Sequence, residues 1–242
     1  MNARAGDADR DSTPSETARQ LLERVRRGQP TEPHLRALAD FEEHELTLLR
    51  TDRETALAFW LNIYNAAAQL LLERRPKLFE SRWRFFRTTA VTVAGIDLSL
   101  DDIEHGILRG EQSKYGLGYL PRLARSRIGP EYRLTADPRI HFALNCGAAS
   151  CPAILAYNLE SVDRTLDGAT ESHWEQTVTY DADRGRVRVP RVCLWFIGDF
   201  GGPSGLRAFL RVHGQIPPGS KPSLRFRRYD WTRVSRQFAD DG

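Results

Sequence analysis

The stretch from residue 52 to residue 75 constrains the fold more than any other part of the chain. Its apolar side chains occupy too many positions for the single stripe of a surface helix: Leu57, Phe59, Trp60, Ile63, Tyr64, Ala67, Leu70 and Leu71. A helix that is apolar on nearly every side has to be surrounded by protein. The pattern therefore predicts a central helix, and Pro76 ends it because proline cannot continue a helix.

Shorter elements are predicted on both sides of the central helix. Two amphipathic helices precede it, one over residues 13–28 and one over residues 31–49. After it, hairpins are predicted over residues 91–98 and 178–189, strands over 139–145 and 224–229, and helices over 99–109, 151–157, 162–174 and 203–212. This order predicts the α+β class, with N-terminal helices packed around a small mixed or antiparallel sheet.

The composition favours one domain. A chain of 242 residues, of which 40% are hydrophobic, can bury a core without disulfides, and no linker divides it. Residues 1–12 are polar and predict a disordered leader. Residues 13–50 are expected to form a helical segment packed on the domain, and residues 51–240 the domain itself.

Several sequence features bear on compartment and cofactors. The longest apolar stretches, residues 66–72 and 140–144, are shorter than the roughly 20 residues that span a bilayer. The first twenty residues lack the apolar core of a secretory signal, and three cysteines form an odd set typical of reduced thiols. We therefore expect a cytoplasmic protein without a transmembrane segment. The chain contains no CxxC or HExxH motif, so we expect no metal and no cofactor.

Arginines and aromatic residues are interleaved in two segments, residues 74–87 and 221–236. The net charge of the whole chain, +3, does not indicate a class of partner. Such segments can bind nucleic acid or another polyanion. No recognisable nucleic-acid-binding motif accompanies them, so we do not expect nucleic acid as a partner. We interpret the arginines as solvated surface residues above buried aromatic rings.

The largest group of neighbouring candidate site residues lies at the end of the predicted strand 139–145. Asn145 and Cys146 stand there before a turn of small residues that ends at Ser150, Cys151 and Pro152. Oriented N–H groups at a strand-to-helix turn lower a thiol pKa and stabilise an oxyanion, whereas a free cysteine can also simply pack as a small hydrophobe. Cys151, predicted as the N-cap before Pro152, also lies near a positive helix end. We favour Cys146 as the nucleophile, because Asn145 and Gly147 beside it allow a sharp turn that exposes the sulfur, whereas Cys151 is held between Ser150 and the Pro152 ring. One equivalent of a thiol reagent at neutral pH is then expected to modify Cys146 before Cys151 and Cys193.

A thiol nucleophile needs a base, and two histidines are candidates. His105 lies on the predicted helix 99–109, and His141 lies on the strand that leads to Cys146. Strand alternation places His141 and Cys146 on opposite faces, so His105 ranks first. Either histidine can equally be a core residue bonded to backbone. Asp199, between aromatic residues, can orient a histidine or cap the following helix.

Two asparagines lie three residues apart on the most apolar helix. Asn62 and Asn65 are costly to bury unless their amides find partners. Those partners are either a backbone loop or a bound substrate, and the sequence leaves both alternatives open. The candidate substrate contacts are therefore Asn62, Asn65, Asn145, Ser150 and Cys151.

Five motifs occur in a fixed order: FWLNIYNA, LSLDDIEHGILRG, DPRIHFALNCGAASCP, LWFIGDF and RRYDW. In this order they resemble the landmarks of the DUF547 family, a domain of unknown function, between Ala56 and Trp231. The resemblance implies a single bacterial-type domain. Its landmarks contain the candidate residues Asn62, Asn65, His105, His141, Asn145, Cys146, Ser150, Cys151 and Asp199. Related domains are fused to leucine-zipper segments in plants and to redox-type domains in animals, which implies assembly or thiol chemistry.

The favoured function is a cysteine-dependent hydrolase or acyl-transfer enzyme that acts on a small-molecule or peptide-like substrate. Cys146 would attack, His105 or His141 would move protons, and Asp199 would orient the base. Asn62 or Asn65 would then hold the oxyanion. Two alternatives remain open: a binding or scaffold domain that uses the arginine-aromatic segments, and a thiol redox protein that uses Cys146 with Cys151.

Overall fold

The computed structural model describes residues 12–123 and 127–239. All of the predicted leader except Ser12 lies outside these residues. The chain begins with α1 (Pro14–Arg27), α2 (Glu32–Asp40), α3 (Leu48–Thr51) and α4 (Arg53–Arg74). The central helix is confirmed as α4, in which every residue from Thr55 to Leu72 is buried. Its N-terminus is capped by Asp52, whose Oδ1 accepts a hydrogen bond from the Thr55 N–H at 2.8 Å.

By length and composition, α4 could also cross a membrane, with a mean hydropathy of 1.2 over its most apolar window. That window is entirely buried inside the fold, and α4 packs mainly against α1, with fewer contacts to α3. The core helix of a soluble protein meets the same criteria, so α4 is only weak evidence for a membrane span.

The prediction of one continuous helix over residues 31–49 is wrong, because the middle of this segment is not helical. The structure has two separate helices there, α2 and α3, joined by turns. The joining segment contains Glu42, Glu43 and Glu45, which offer no apolar surface for burial. The Glu45 carboxylate instead accepts a hydrogen bond from the Glu42 N–H at 2.7 Å, a local contact that competes with the helix.

Short helices and a hairpin follow α4. A 3₁₀ helix (Pro76–Glu80) leads to α5 (Arg82–Arg87), and β1 (Thr89–Val93) pairs antiparallel with β2 (Ile96–Ser99). The hairpin predicted over residues 91–98 is confirmed. The helix predicted over residues 99–109 is also present, but its main part, Asp102–Leu108, is a π-helix, a rare wide form that often occurs at functional sites.

The C-terminal part builds a second, three-stranded sheet. After α6 (Val162–Thr177), β3 (Thr179–Asp181) pairs antiparallel with β4 (Arg186–Val189). Beyond α7 (Val192–Trp195) and α8 (Gly202–Val212), β5 (Ser223–Phe226) pairs parallel with β4. These elements confirm an α+β single domain, with one buried cluster around α4 and a second between this mixed sheet, α6 and α8.

Two predicted elements around the cysteines are absent. Residues 139–145 do not form a strand, because a 3₁₀ helix (Pro138–Phe142) capped by Asp137 occupies most of this segment. Residues 151–157 do not form a helix, since the backbone there is extended and Ile154 pairs with residues 237–239. The alternation that separated His141 from Cys146 therefore does not apply. Cys151 is not a helix N-cap.

Candidate functional site

Cys146 and Cys151 form a pair of buried free thiols. Their Sγ atoms are 3.2 Å apart, and the Cys146 N–H also donates to Cys151 Sγ at 3.2 Å. The Tyr229 hydroxyl lies 3.3 Å from Cys151 Sγ and 3.9 Å from Cys146 Sγ. Cys151 Sγ is therefore the centre of the cluster, with three hydrogen-bonding groups around one sulfur atom.

The loop between the two thiols is held by its own residues. The Asn145 Oδ1 accepts from the Gly147 N–H at 2.8 Å, and its Nδ2 donates to the Pro152 carbonyl at 2.7 Å, which ties the two ends of the loop together. Gly147 has a φ of 86°, and an added Cβ would collide with the Leu72 side chain. Glycine is therefore required where the loop passes over α4.

The two asparagines of α4 bind backbone, which corresponds to the loop-holding alternative. Asn65 donates to the Ala143 carbonyl at 3.0 Å and accepts from the Asn145 N–H at 2.9 Å. Asn62 likewise donates to the Tyr157 carbonyl at 2.8 Å and accepts from the Tyr157 N–H at 2.9 Å. Asn65 thus fixes the entry to the thiol loop, while Asn62 fixes a segment beyond it.

The C-terminal segment covers the thiol loop and brings Tyr229 to it. The Ala149 N–H donates to the Thr232 carbonyl, and the Val234 N–H donates to the Gly147 carbonyl, both at 2.8 Å. Ser150 takes part as a backbone anchor, because its Oγ accepts from the Asp230 N–H at 2.8 Å. Sequence reasoning did not select Tyr229 as a site residue, although it lies in the RRYDW motif and in the arginine-aromatic segment 221–236.

The histidines belong to a second buried cluster, organised by Arg109. The Arg109 guanidinium makes a bidentate pair with Asp199, at 2.6 and 2.9 Å, and contacts His105 Nδ1 at 2.9 Å. His141 Nε2 lies 2.9 Å from Asp199 Oδ2. Asp199 therefore contacts His141 directly and His105 only through Arg109. Arg109, four residues after His105 in the landmark segment LSLDDIEHGILRG, was not selected from the sequence.

Burial and hydrogen bonding set the protonation of the thiols. Burial raises the pKa of Cys151, but hydrogen bonds from Cys146 and Tyr229 outweigh it and bring the pKa to about 7. The contact with Cys151, together with burial, raises the pKa of Cys146 well above its ordinary range. Cys151 is therefore the more acidic thiol of the pair and is partly ionised at neutral pH.

Burial also changes the acids and bases of the second cluster. It raises the pKa of Glu104 to about 7, and the Tyr64 hydroxyl donates to that carboxyl at 3.0 Å. Burial lowers the pKa of both His105 and His141, and the Arg109 charge lowers that of His105 further. Among the described residues, no hydrogen bond joins either imidazole to a cysteine sulfur of the pair. The role of either histidine as the base for Cys146 therefore stays a prediction.

Both clusters border one cavity with a volume of about 1220 Å³. Its lining includes both thiols, both histidines and the buried acids, namely Cys146, Cys151, His105, His141, Glu104 and Asp101, together with Ser150, Tyr64 and Tyr229. Asn62, Asn65 and Asn145 hold the loops behind this surface. In residues 12–123 and 127–239, no group of three or more His, Cys, Asp or Glu side chains is arranged to hold a metal ion.

The fold and the site define a single α+β domain with two buried thiols at a large cavity. The family model of proteins of unknown function DUF547 matches residues 48–173, more than half of the 242-residue chain, and the chain belongs to this family. The match includes both thiols, His105, His141 and Arg109, whereas Asp199 and Tyr229 lie beyond it. The chain has no significant similarity to any curated protein or solved structure.

Proposed function

We propose that the protein is a thiol–disulfide oxidoreductase in which Cys151 is the attacking thiolate and Cys146 the resolving thiol. The observation that carries this proposal is the distance of 3.2 Å between the two sulfur atoms. A disulfide bond is about 2.05 Å long, so a small movement of the loop 146–151 can join them. Cys151, with a pKa of about 7, supplies the nucleophile at neutral pH.

The reaction consists of two exchanges. The Cys151 thiolate attacks one sulfur of a substrate disulfide, forms a mixed disulfide and releases the first substrate thiolate. Cys146 then loses its proton and attacks Cys151 Sγ, which forms the Cys146–Cys151 disulfide and releases the second substrate thiolate. The substrate disulfide is reduced by two electrons and the protein dithiol is oxidised by two. A thiol reductant returns the protein to its dithiol form.

Glu104 is the candidate proton acceptor for the second exchange. A carboxyl with a pKa of about 7 is partly ionised at neutral pH and can take up the Cys146 proton. Tyr64, which donates to Glu104, borders the same cavity as both thiols. The two histidines are less suited to this task, because burial lowers their pKa values and their ring nitrogens contact Arg109 and Asp199.

Acyl transfer on Cys151 is the second candidate function. A low-pKa thiolate at a cavity of about 1220 Å³ also suits attack on an acyl carbon, with Glu104 as the proton carrier. Cys146 is less suited to be the nucleophile of such an enzyme, since its pKa is raised. In this function Cys146 would be dispensable, whereas the redox function needs both thiols.

The redox proposal is tested in glutathione buffers of graded potential. We expect a Cys146–Cys151 disulfide, seen by mass spectrometry as the loss of two hydrogen atoms within one peptide. Cys146→Ser should trap a glutathione adduct on Cys151, and Cys151→Ser should trap none at neutral pH. Cys193→Ala, which removes the third thiol far from the pair in sequence, serves as the control.

Two results would decide against the redox proposal. A protein that keeps both thiols reduced under fully oxidising conditions cannot act as a dithiol reductant of disulfides. Hydrolysis of a thioester that survives in Cys146→Ser and disappears in Cys151→Ser would favour acyl transfer instead.

A further inference from the structure

The two arginine-aromatic segments meet at the mouth of the cavity that contains the thiols. Arg82, Trp83 and Phe86 come from α5, while Arg228, Tyr229 and Trp231 come from the segment after β5, and all six border the cavity. Trp83 is 61% exposed, so the expectation that the aromatic residues are buried beneath the arginines is wrong for this ring. The segments form part of a site.

Three half-buried rings form an aromatic wall beside the thiols: Trp195, Tyr229 and Trp231. The ring centres of Tyr229 and Trp231 are 4.5 Å apart, and those of Trp195 and Tyr229 are 4.9 Å apart. The Tyr229 hydroxyl at one end of this wall reaches Cys151 Sγ. A flat ligand ring packed on the wall would thus lie next to the reactive sulfur.

Two arginines beside the wall are not neutralised. Arg191 and Arg228 border the cavity, and among the described residues their side chains make no ion pair or hydrogen bond. Arg82 lies over the Trp231 ring at 4.5 Å and adds a third positive charge. The acids that line the cavity are engaged elsewhere, Asp101 with Lys114 and Glu104 with Tyr64. This end of the cavity is therefore both aromatic and positively charged.

We propose that this end of the cavity binds a nucleotide group, with its base on the aromatic wall and its phosphates on Arg191 and Arg228. Aromatic side chains stack on nucleic-acid bases, and guanidinium groups bind phosphate oxygens in pairs of hydrogen bonds. Combined with the proposed function, on which this step rests, the substrate class is a nucleotide-bearing disulfide of low molecular mass. Its disulfide would then lie next to Cys151.

ADP alone tests the binding site without any redox step. We expect saturable binding of ADP to the reduced protein by calorimetry, quenching of tryptophan fluorescence, and weakening by added salt because the contacts are ionic. Arg191→Ala and Arg228→Ala should each weaken binding about tenfold, the loss of about 1.4 kcal/mol. Arg188→Ala removes an exposed arginine that does not border the cavity, and it should bind ADP like the unchanged protein.

The disulfide itself is tested in a second arm. Coenzyme A disulfide, which carries an adenine ring and phosphates, should oxidise the protein at least tenfold faster than glutathione disulfide, which is anionic but has no ring. Arg228→Ala should reduce this preference. Equal rates with the two disulfides, or no saturable binding of ADP at millimolar concentration, would overturn the nucleotide site. ADP binding without any disulfide exchange would leave the nucleotide site standing and refute the redox function.

Discussion

The Tyr229 hydroxyl lies 3.3 Å from Cys151 Sγ, although 78 residues separate them in the chain. The contact depends on the C-terminal segment, whose backbone pairs with the loop between the two thiols. A hydroxyl that donates to a thiolate stabilises the charged form of the sulfur and so lowers its pKa. Tyr229, a residue outside the loop that contains Cys151, therefore contributes with Cys146 to the lowered pKa of Cys151.

Replacing Tyr229 with phenylalanine should raise the pKa of Cys151 from about 7. If the pKa rises by about one unit, the thiolate fraction at pH 7 falls from about one half to about a tenth. Alkylation of Cys151 by iodoacetamide at pH 7 should then slow roughly fivefold, with the pH–rate curve displaced to higher pH. Tyr119→Phe changes an exposed tyrosine and is the control. An unchanged pH–rate curve for Tyr229→Phe would contradict the assigned role.

One equivalent of a thiol reagent at pH 7 should modify Cys151 before Cys146 and Cys193. This order reverses the sequence-based expectation, in which the turn at Gly147 exposes Cys146 while Cys151 is held between Ser150 and Pro152. The structure has no helix at Cys151, and the pKa is lowered at Cys151 and raised at the other two thiols. Mass mapping of the labelled peptides decides the order, and first labelling at Cys146 would restore the original assignment.

The central helix was predictable because its signal is local. A long apolar run that ends at Pro76 has to form a helix surrounded by protein, and the bounds of α4 agree closely with those of the run. The 3₁₀ helix and turn at residues 139–145 were not predictable, because the backbone at the end of this segment is bound by the side chain of Asn65 on α4, 80 residues from Asn145. An apolar run looks like a strand when the side chain that satisfies its backbone is distant in sequence.

The site residues likewise divide into those with a local sequence signal and those without one. Cys146 and Cys151 were recognisable from their turn of small residues, and the two histidines from their motifs. Their partners were not, because Tyr229 and Arg109 act only through tertiary contacts. The ranking of His105 over His141 was based on a strand at residues 139–145, and the chain does not form that strand.

Breaking the ion pair between Arg109 and Asp199 should destabilise the protein strongly. Both side chains are about 1% exposed or less, so removing one partner leaves an uncompensated buried charge. We expect Arg109→Ala to lower the free energy of unfolding in urea by about 3 to 5 kcal/mol. Arg184→Ala removes the partner of Asp181 in an exposed ion pair, and it should change the free energy of unfolding far less, because water screens exposed charges. Equal losses for the two variants would contradict the buried role of Arg109.

Ionisation of Glu104 should lower the free energy of unfolding as the pH rises. Burial raises the pKa of its carboxyl from 4.5 to about 7, so the folded state binds the proton more tightly than the unfolded state. The stabilisation is complete below pH 4.5 and is lost as the pH rises through about 7. Between pH 5 and pH 8 this loss amounts to roughly 2 to 3 kcal/mol.

Glu104→Gln should remove that loss, and unfolding in urea at both pH values measures it. Glutamine keeps an acceptor for the Tyr64 hydroxyl but cannot titrate. Glu80→Gln, at an exposed position, should show the same pH dependence as the unchanged protein. If Glu104→Gln also keeps the full pH dependence, another group is responsible for it.

Asn62 and Asn65 offer a matched pair of substitutions on one helix. Each amide makes one donated and one accepted hydrogen bond with a backbone loop, at distances between 2.8 and 3.0 Å. Replacing either residue with alanine leaves a buried N–H and a buried carbonyl without their partners. Unfolding should therefore become easier by about 2 to 4 kcal/mol in both variants.

Thiol chemistry should separate the two variants, because only Asn65 holds the entry to the thiol loop. Asn65→Ala frees the Asn145 backbone next to Cys146, so the sulfur pair loses its alignment and the Cys146–Cys151 disulfide should form more slowly. Asn62→Ala loosens the chain at Tyr157 and should leave the rate of disulfide formation within about twofold of the unchanged protein. The rate of oxidation in a fixed glutathione buffer, at a temperature where both variants are folded, measures the difference. A larger effect of Asn62→Ala on that rate would instead favour the alternative in which Asn62 contacts the bound substrate.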